Sequence, residues 1–151
     1  MKRIAAFLLI ASFFQVQFAS AQSAHQYLRE GDAQFEKGAL PAAEESYRKA
    51  QAETPSAEGA YNLGNSIYLQ ERYDEAVQQY ESAARTAEDP AARSYAYHNL
   101  GNAHYQNQQY DQAVEAYKNA LRINPKDEET RENLLRALTK YRQQQQQQQQ
   151  Q

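Results

Sequence analysis

The chain has 151 residues, of which 41% are hydrophobic and 23% charged, a balance that supports one ordinary buried core with room for a tail. It contains no cysteine, which excludes disulfide scaffolds, thiolate zinc sites, iron-sulfur clusters and cysteine nucleophiles together. Its formal charge of −3 argues against nucleic-acid binding, which needs a basic face to neutralise phosphates. Tryptophan is also absent, and four of the 5 phenylalanines (Phe7, Phe13, Phe14, Phe18) lie near the start, so the 12 tyrosines supply nearly all the aromatic surface of the remaining body.

Met1 is followed by Lys2 and Arg3, then by the apolar run Ile4 to Phe14, then by the small-x-small triplet Ala19-Ser20-Ala21. That order predicts a cleaved secretory leader over 1–21, a mature chain beginning at Gln22, and a location outside the cytoplasm. The apolar run is roughly half the ~20 residues that a transmembrane helix needs, and Gln15 and Gln17 interrupt its continuation. No cysteine near Ala21 offers a site for lipid attachment. After cleavage the chain is expected not to span a membrane, and the loss of Lys2 and Arg3 sharpens its acidic balance.

Beyond the leader the sequence repeats. Gly31, Gly64 and Gly101 recur at spacings of 33 and 37, and Ala43/Ala76/Ala113, Tyr47/Tyr80/Tyr117 and Ala50/Ala83/Ala120 keep the same register. Between Asn62–Ala83 and Asn99–Ala120, 11 of 22 aligned positions are identical. A fixed period in the thirties is the signature of stacked supersecondary units. Within each copy, apolar and small residues recur at three and four, as in Leu63, Gly64, Ile67 and then Ala76, Val77, Tyr80, Ala83, so each copy is two amphipathic helices. Asp74 and Asp111 are expected to cap the second helices of the last two copies, and Pro41 to open that of the first. The four extra residues of the 37 spacing include Asp89-Pro90, a cap and first-turn pair that adds one turn to the front of the third copy's first helix.

The expected organisation is a first repeat over 22–56, a second with its linker over 57–93, a third over 94–127, and a capping helix over 128–142 with Leu134, Leu138 and Tyr141 on one face. Leu135 falls in the register of the repeat glycines, where it blocks a close second helix, so this last helix is expected to stand alone. Residues 143–151 are a polyglutamine tail, either disordered, a frayed extension of the helix, or the start of a linker. Its abrupt end raises the expectation that the chain is a fragment of a longer protein.

The stretches YNLGNSIYLQERYDEAVQQYESA and YHNLGNAHYQNQQYDQAVEAYKNALRINP resemble tetratricopeptide repeats. The resemblance covers residues 24–127 and implies an all-α fold, a right-handed α-α superhelix of three helix pairs closed by the capping helix. The paired helices are expected to come closest where the glycines face Ala43, Ala76 and Ala113, with Tyr47, Tyr80 and Tyr117 filling the wider space toward the next repeat. Glu30 and Gln34 replace the apolar residues of the later copies, which makes the first a weaker, terminal repeat.

Little in the sequence points to catalysis or a cofactor. The glycines are absorbed by the repeat, with no phosphate loop, HExxH motif or nucleophile elbow. His98 and His104 are six apart on one helix and face different ways, which does not make a metal pair, and His104, in the register of Ile67, belongs to the core. No enzymatic activity, cofactor, metal or small-molecule substrate is expected.

An array of this kind offers instead a surface lined by first helices. By register the groove-facing positions are His25, Leu28, Arg29, Asp32, Phe35 and Glu36, then Glu58, Tyr61, Asn62, Asn65, Tyr68 and Leu69, then Tyr95, His98, Asn99, Asn102, Tyr105 and Gln106. The binding candidates among them are Phe35, Tyr61, Asn62, Asn65, Tyr68, Tyr95, His98, Asn99, Asn102 and Tyr105. Asparagine donates to and accepts from one peptide unit together, and tyrosine supplies contact area at little entropic cost. The expected function is a non-catalytic adaptor or scaffold that holds a partner peptide or helix in this groove. The family's carboxylate clamp is not matched, since Leu28, Asp32, Tyr95 and Asn99 stand where its key groups would be.

The leader, the YNLGN and HNLGN motifs, the exit ALRINPKDEET and the glutamine-rich end together resemble the periplasmic repeat proteins of bacterial aerotolerance (Bat) operons. That resemblance implies export across the inner membrane to the periplasm and a membrane-anchored partner carrying a von Willebrand A domain. Two other readings stay open: a structural protein that self-assembles through its ends or glutamine tract, and an interaction domain of a longer envelope protein.

Overall fold

A computed structural model describes residues 21–150. The expected leader, apart from Ala21, lies outside the described residues. Among these residues the regular structure is entirely helical: α1 over 21–36, α2 Leu40–Glu53, α3 Ala57–Tyr68, α4 Tyr73–Thr86, α5 Pro90–Gln106, α6 Tyr110–Ile123 and α7 Glu128–Gln149. The chain divides into two compact units, the first ending at Pro55 and the second beginning at Ser56. The first holds α1 and α2. In the second, each helix from α4 to α7 packs on the one before it, as expected of amphipathic helices joined by short turns.

The turn inside each repeat is built the same way three times. Ala39 N–H donates to Gln34 O, Arg72 N–H to Ile67 O and Gln109 N–H to His104 O, each closing the end of a first helix across six residues. Such a closure needs one residue in the left-handed region, and Gly38 (φ 73°), Glu71 (φ 61°) and Gln108 (φ 60°) fill that place in turn. Only in the first repeat is that residue a glycine. The second helices start two residues earlier than the aspartate caps would require: α4 begins behind Arg72 and α6 behind Gln109, neither with a side-chain cap. Asp74 and Asp111 therefore sit in the first turn and do not cap. Asp74 accepts instead from Asn107 Nδ2 at 2.8 Å, tying together the turns of successive repeats.

A left-handed conformation costs a side-chain-bearing residue about 1–2 kcal/mol, of which glycine gives back about 0.5–1 through its own backbone entropy. Glu71→Gly is accordingly expected to stabilise the fold by about 0.5–1 kcal/mol, read from the urea midpoint. A loss of stability would show that the Glu71 side chain holds the turn.

Side-chain caps open α3 and α5, as Asp127 does α7. Ser56 Oγ accepts from Gly59 N–H at 3.0 Å at the start of α3, and Asp89 accepts from Ala92 N–H at 2.9 Å at the start of α5. α5 begins at Pro90, one turn further ahead of Gly101 than Ala57 stands ahead of Gly64, so the extra residues do form an added turn. Arg93 pins that turn by donating from Nε and Nη2 to Ala87 O, the C-cap of α4.

The core is small-residue and aromatic. Ala43, Ala76, Ala103, Ala113 and Ala120 are fully buried, and Tyr47, Tyr80 and Tyr117 are among the largest side chains with essentially no exposure. The atoms nearest a side chain at the glycines are those of these tyrosines. A Cβ built on Gly31, Gly64 or Gly101 would lie 2.5, 2.8 or 2.5 Å from the ring of Tyr47, Tyr80 or Tyr117 respectively. Each ring lies against its own repeat's glycine, where only a hydrogen leaves room. The expected reach toward the next repeat is realised for Tyr117, which also packs with Ala137 of α7.

α7 is longer than the expected capping helix and continues through the glutamines to Gln149. Of the alternatives for the tail, the structure shows extension of the helix. Its apolar face buries Ala137 completely, with Leu134 and Leu138 against Val114 and Tyr117, while Leu135 is exposed. No helix among the described residues is long and apolar enough to cross a membrane.

Candidate functional site

The expected binding residues fall into registers that the structure treats differently. The 28/61/98 register is largely taken up by packing, and only Tyr61 keeps a partly open side. Leu28 and His98 are buried and Tyr61 is half-buried, because this position lies one turn before the repeat glycine, on the flank that packs against neighbouring helices. Tyr61 rests on the cluster formed by Ala60, Ala83, Ala84 and Ala96, its ring 6.0 Å from that of Tyr80. Burial pushes its phenol up from the ordinary tyrosine value.

His98 is a latch for α7. Thr130 Oγ1 donates to Asp127 Oδ2 at 2.7 Å, so it must accept from His98 Nδ1, 2.6 Å away, and the network assigns the ring proton to Nδ1. Nε2 faces Glu129 at 3.8 Å, and the ring stands edge-on to Tyr117. Partial burial pushes the Asp127 carboxyl up, but the bonds it accepts from Thr130 N–H and hydroxyl outweigh this and hold it below the usual carboxylate range. His98 is thus removed from the expected partner-binding residues and placed in the joint that docks the last helix.

The asparagines have an internal role as well as an outward face. Asn65 Oδ1 accepts from Tyr80 OH at 2.9 Å and from Asn99 Nδ2 at 3.1 Å. One repeat on, Asn102 Oδ1 accepts from Tyr117 OH at 2.7 Å and from Asn133 Nδ2 at 3.3 Å. In the first compact unit Tyr47 OH donates to Asp32 at 2.8 Å. Each tyrosine that covers a glycine is therefore anchored by the residue directly after that glycine. Burial keeps the Tyr80 and Tyr117 phenols well above the usual tyrosine range, so they stay neutral donors.

The bonds orient the amides. The carbonyl oxygens of Asn65 and Asn102 are each engaged twice, and the Asn65 amide also lies against the Tyr61 hydroxyl. Asn99 Nδ2 donates to Tyr61 OH and Asn65 Oδ1, and Asn133 Nδ2 to Asn102 Oδ1. These bonds link α3 to α5 and α5 to α7 through a row of amides along the first-helix face. Asn133 continues the Asn62/Asn99 register at a spacing of 34, so α7 is a wall of this face as well as a cap. That was readable from the spacing but hidden by treating Leu135 as the end of the pattern.

The aromatic row is half-buried and braced. Tyr68 stands edge-on to Tyr73 with centroids 5.2 Å apart, and Tyr105 to Tyr110 at 5.3 Å. Asn102, Tyr105, Gln106, Asn133 and Arg136 line a cleft of about 180 Å³ floored by Tyr117. Phe35 lies in the first compact unit, half-buried, as is Asn62 in the second; Tyr95 is 58% exposed. His104 is buried as expected, its Nδ1 2.7 Å from Gln109 Oε1. Among the described residues no three His, Asp or Glu side chains are placed to hold a metal ion.

Sequence profiles of the tetratricopeptide repeat family match residues 17–58, 28–93 and 94–127, well over half of the chain. The chain belongs to the tetratricopeptide repeat family. No curated protein sequence matches it significantly. Among solved tetratricopeptide domains, the first such domain of Spaghetti (RPAP3), bound to the HSP90 peptide SRMEEVD, is 21% identical over 79% of this chain and 93% of its own, with a TM-score of 0.72. The second domain of human RPAP3, in complex with the HSP70 peptide SGPTIEEVD, is 20% identical over 80% and 97%, at 0.70. The MamA protein is 22% identical over 87% and 71%, at 0.73. At these identities the likeness shows the fold, all-α and tetratricopeptide.

Proposed function

We propose that the chain is a non-catalytic adaptor whose α3, α5 and α7 face holds an extended segment of a partner protein. The amides of Asn65, Asn99, Asn102 and Asn133 carry this reading. Each of the four carries a donor and an acceptor on this one face, as each peptide unit does with its N–H and C=O. They are already fixed by internal bonds, so little rotamer entropy is lost on binding. Tyr68 and Tyr105, braced against Tyr73 and Tyr110, supply rigid aromatic area beside them. Peptide complexes of the RPAP3 domains support the choice of ligand class, without their binding residues being carried over.

The leader-like start supports export, and with the resemblance to aerotolerance repeat proteins it supports a periplasmic adaptor for a membrane-anchored partner with a von Willebrand A domain. N-terminal sequencing of the exported protein tests the first step, with Gln22 the expected residue. Pull-down from envelope extract tests the second.

The face itself is tested by Asn99→Ala with Tyr105→Ala. Binding of peptides selected from a random linear library is expected to fall at least about tenfold, with circular dichroism confirming that the fold survives. Unchanged affinity in a folded double variant would overturn the reading.

A further inference from the structure

The turn added to α5 creates something that the repeat pattern alone does not. Between the start of α3, the end of α4 and the start of α5 lies a cleft of about 230 Å³. Ala57 and Tyr61 form one side, Ala83 and Ala87 the floor, and Ala92 and Tyr95 the other side. Ala92 belongs to the added turn. Its wall is rigid, since Asp89 caps it through Ala92 N–H and Arg93 ties it to Ala87 O. Methyl groups and two aromatic rings line the cleft, with the exposed Glu58 as its one charged neighbour. Tyr95 is 58% exposed, one of three large hydrophobic side chains left so open among the described residues.

We propose that this cleft is the specificity pocket of the adaptor: it takes one large apolar side chain, leucine or phenylalanine, from the bound segment, next to a lysine or arginine in that segment. The inference rests on the segment-binding reading of the α3, α5 and α7 face. Continuity supplies the first reason. Tyr61 forms a side of the cleft and accepts from Asn99 Nδ2 at 3.0 Å through its hydroxyl, so a backbone following the asparagine row passes the cleft mouth. The shape supplies the second: floor and walls are alanine, which leaves room for one large side chain between two rings, where burial is favourable. Charge supplies the third. Glu58 has no lysine or arginine neighbour in the lining, so a basic residue beside the anchor is attracted to it and an acidic one repelled.

The test is selection of a random linear-peptide phage library on the purified chain, followed by affinity measurements on the enriched peptides with variants. The expected consensus is a leucine or phenylalanine adjacent to lysine or arginine. Tyr95→Ala and Ala92→Phe, both at exposed positions, should each weaken binding at least about tenfold by removing or filling the pocket. Glu58→Gln should keep the apolar preference and lose the basic one. Peptides that need Asn99 but bind Tyr95→Ala and Ala92→Phe unchanged would overturn the pocket and leave the adaptor reading intact. Peptides lost in Tyr95→Ala yet indifferent to Asn99→Ala with Tyr105→Ala would sink the asparagine face and keep the pocket. A concentration-dependent dimer abolished by Tyr95→Ala would overturn it as well, giving the cleft to a second copy.

Discussion

Tyr117→Ala is expected to destabilise the fold by about 3–5 kcal/mol, the range for losing a large buried aromatic. The ring is 2% exposed, covers Gly101, packs with Ala113, Val114 and Ala137, and meets the edge of His98. Its removal opens a void where α5, α6 and α7 meet, and the surrounding alanines have no longer rotamer with which to fill it. The hydroxyl contributes separately. Tyr117→Phe keeps the packing and removes one of the two donors to Asn102 Oδ1, so about 1 kcal/mol should be lost. Urea unfolding of the two variants separates ring from hydroxyl. An Ala variant that loses no more than the Phe variant would contradict this account of the core.

The second large effect is a change of sign. Gly101→Ala would normally help a helix, by about 1 kcal/mol. Here the new methyl group would sit 2.5 Å from the Tyr117 ring, where carbon atoms need about 3.5–4.0 Å. The ring cannot retreat without stretching its 2.7 Å bond to Asn102, so overpacking should cost about 1–3 kcal/mol and leave the variant less stable. In a Tyr117→Ala background the clash is gone, and the same substitution should stabilise by up to about 1 kcal/mol. A double-mutant cycle in urea reads the coupling. Equal effects of Gly101→Ala in both backgrounds would mean that glycine is needed for something other than the ring.

The glycine and tyrosine registers illustrate how far the sequence reached. Spacings of 33 and 37 established three helix pairs and the added turn before α5, because local periodicity and punctuation act within a few residues. They did not say which side chain lies over the glycine: the tyrosine is 16 residues away, and only the packed helices bring them together. The left-handed turn residue is a glycine only at Gly38; at Glu71 and Gln108 tertiary closure imposes φ values near 60° on residues with side chains. The site followed the same division. Asn65, Asn99, Asn102, Tyr68 and Tyr105 do share a face, as their helical registers required. His98 left it because α7 folds back over α5 and offers Thr130 as a partner.

By itself the sequence determined the all-α repeat architecture, the paired helices, and the residue types available on the first-helix face, since these follow from periods and composition along the chain. Tertiary structure decided which of those residues have an end left over for a partner. An asparagine has one acceptor and two donor hydrogens whatever its neighbours, but which of them faces outward depends on a tyrosine hydroxyl from the paired helix and an amide from the next repeat.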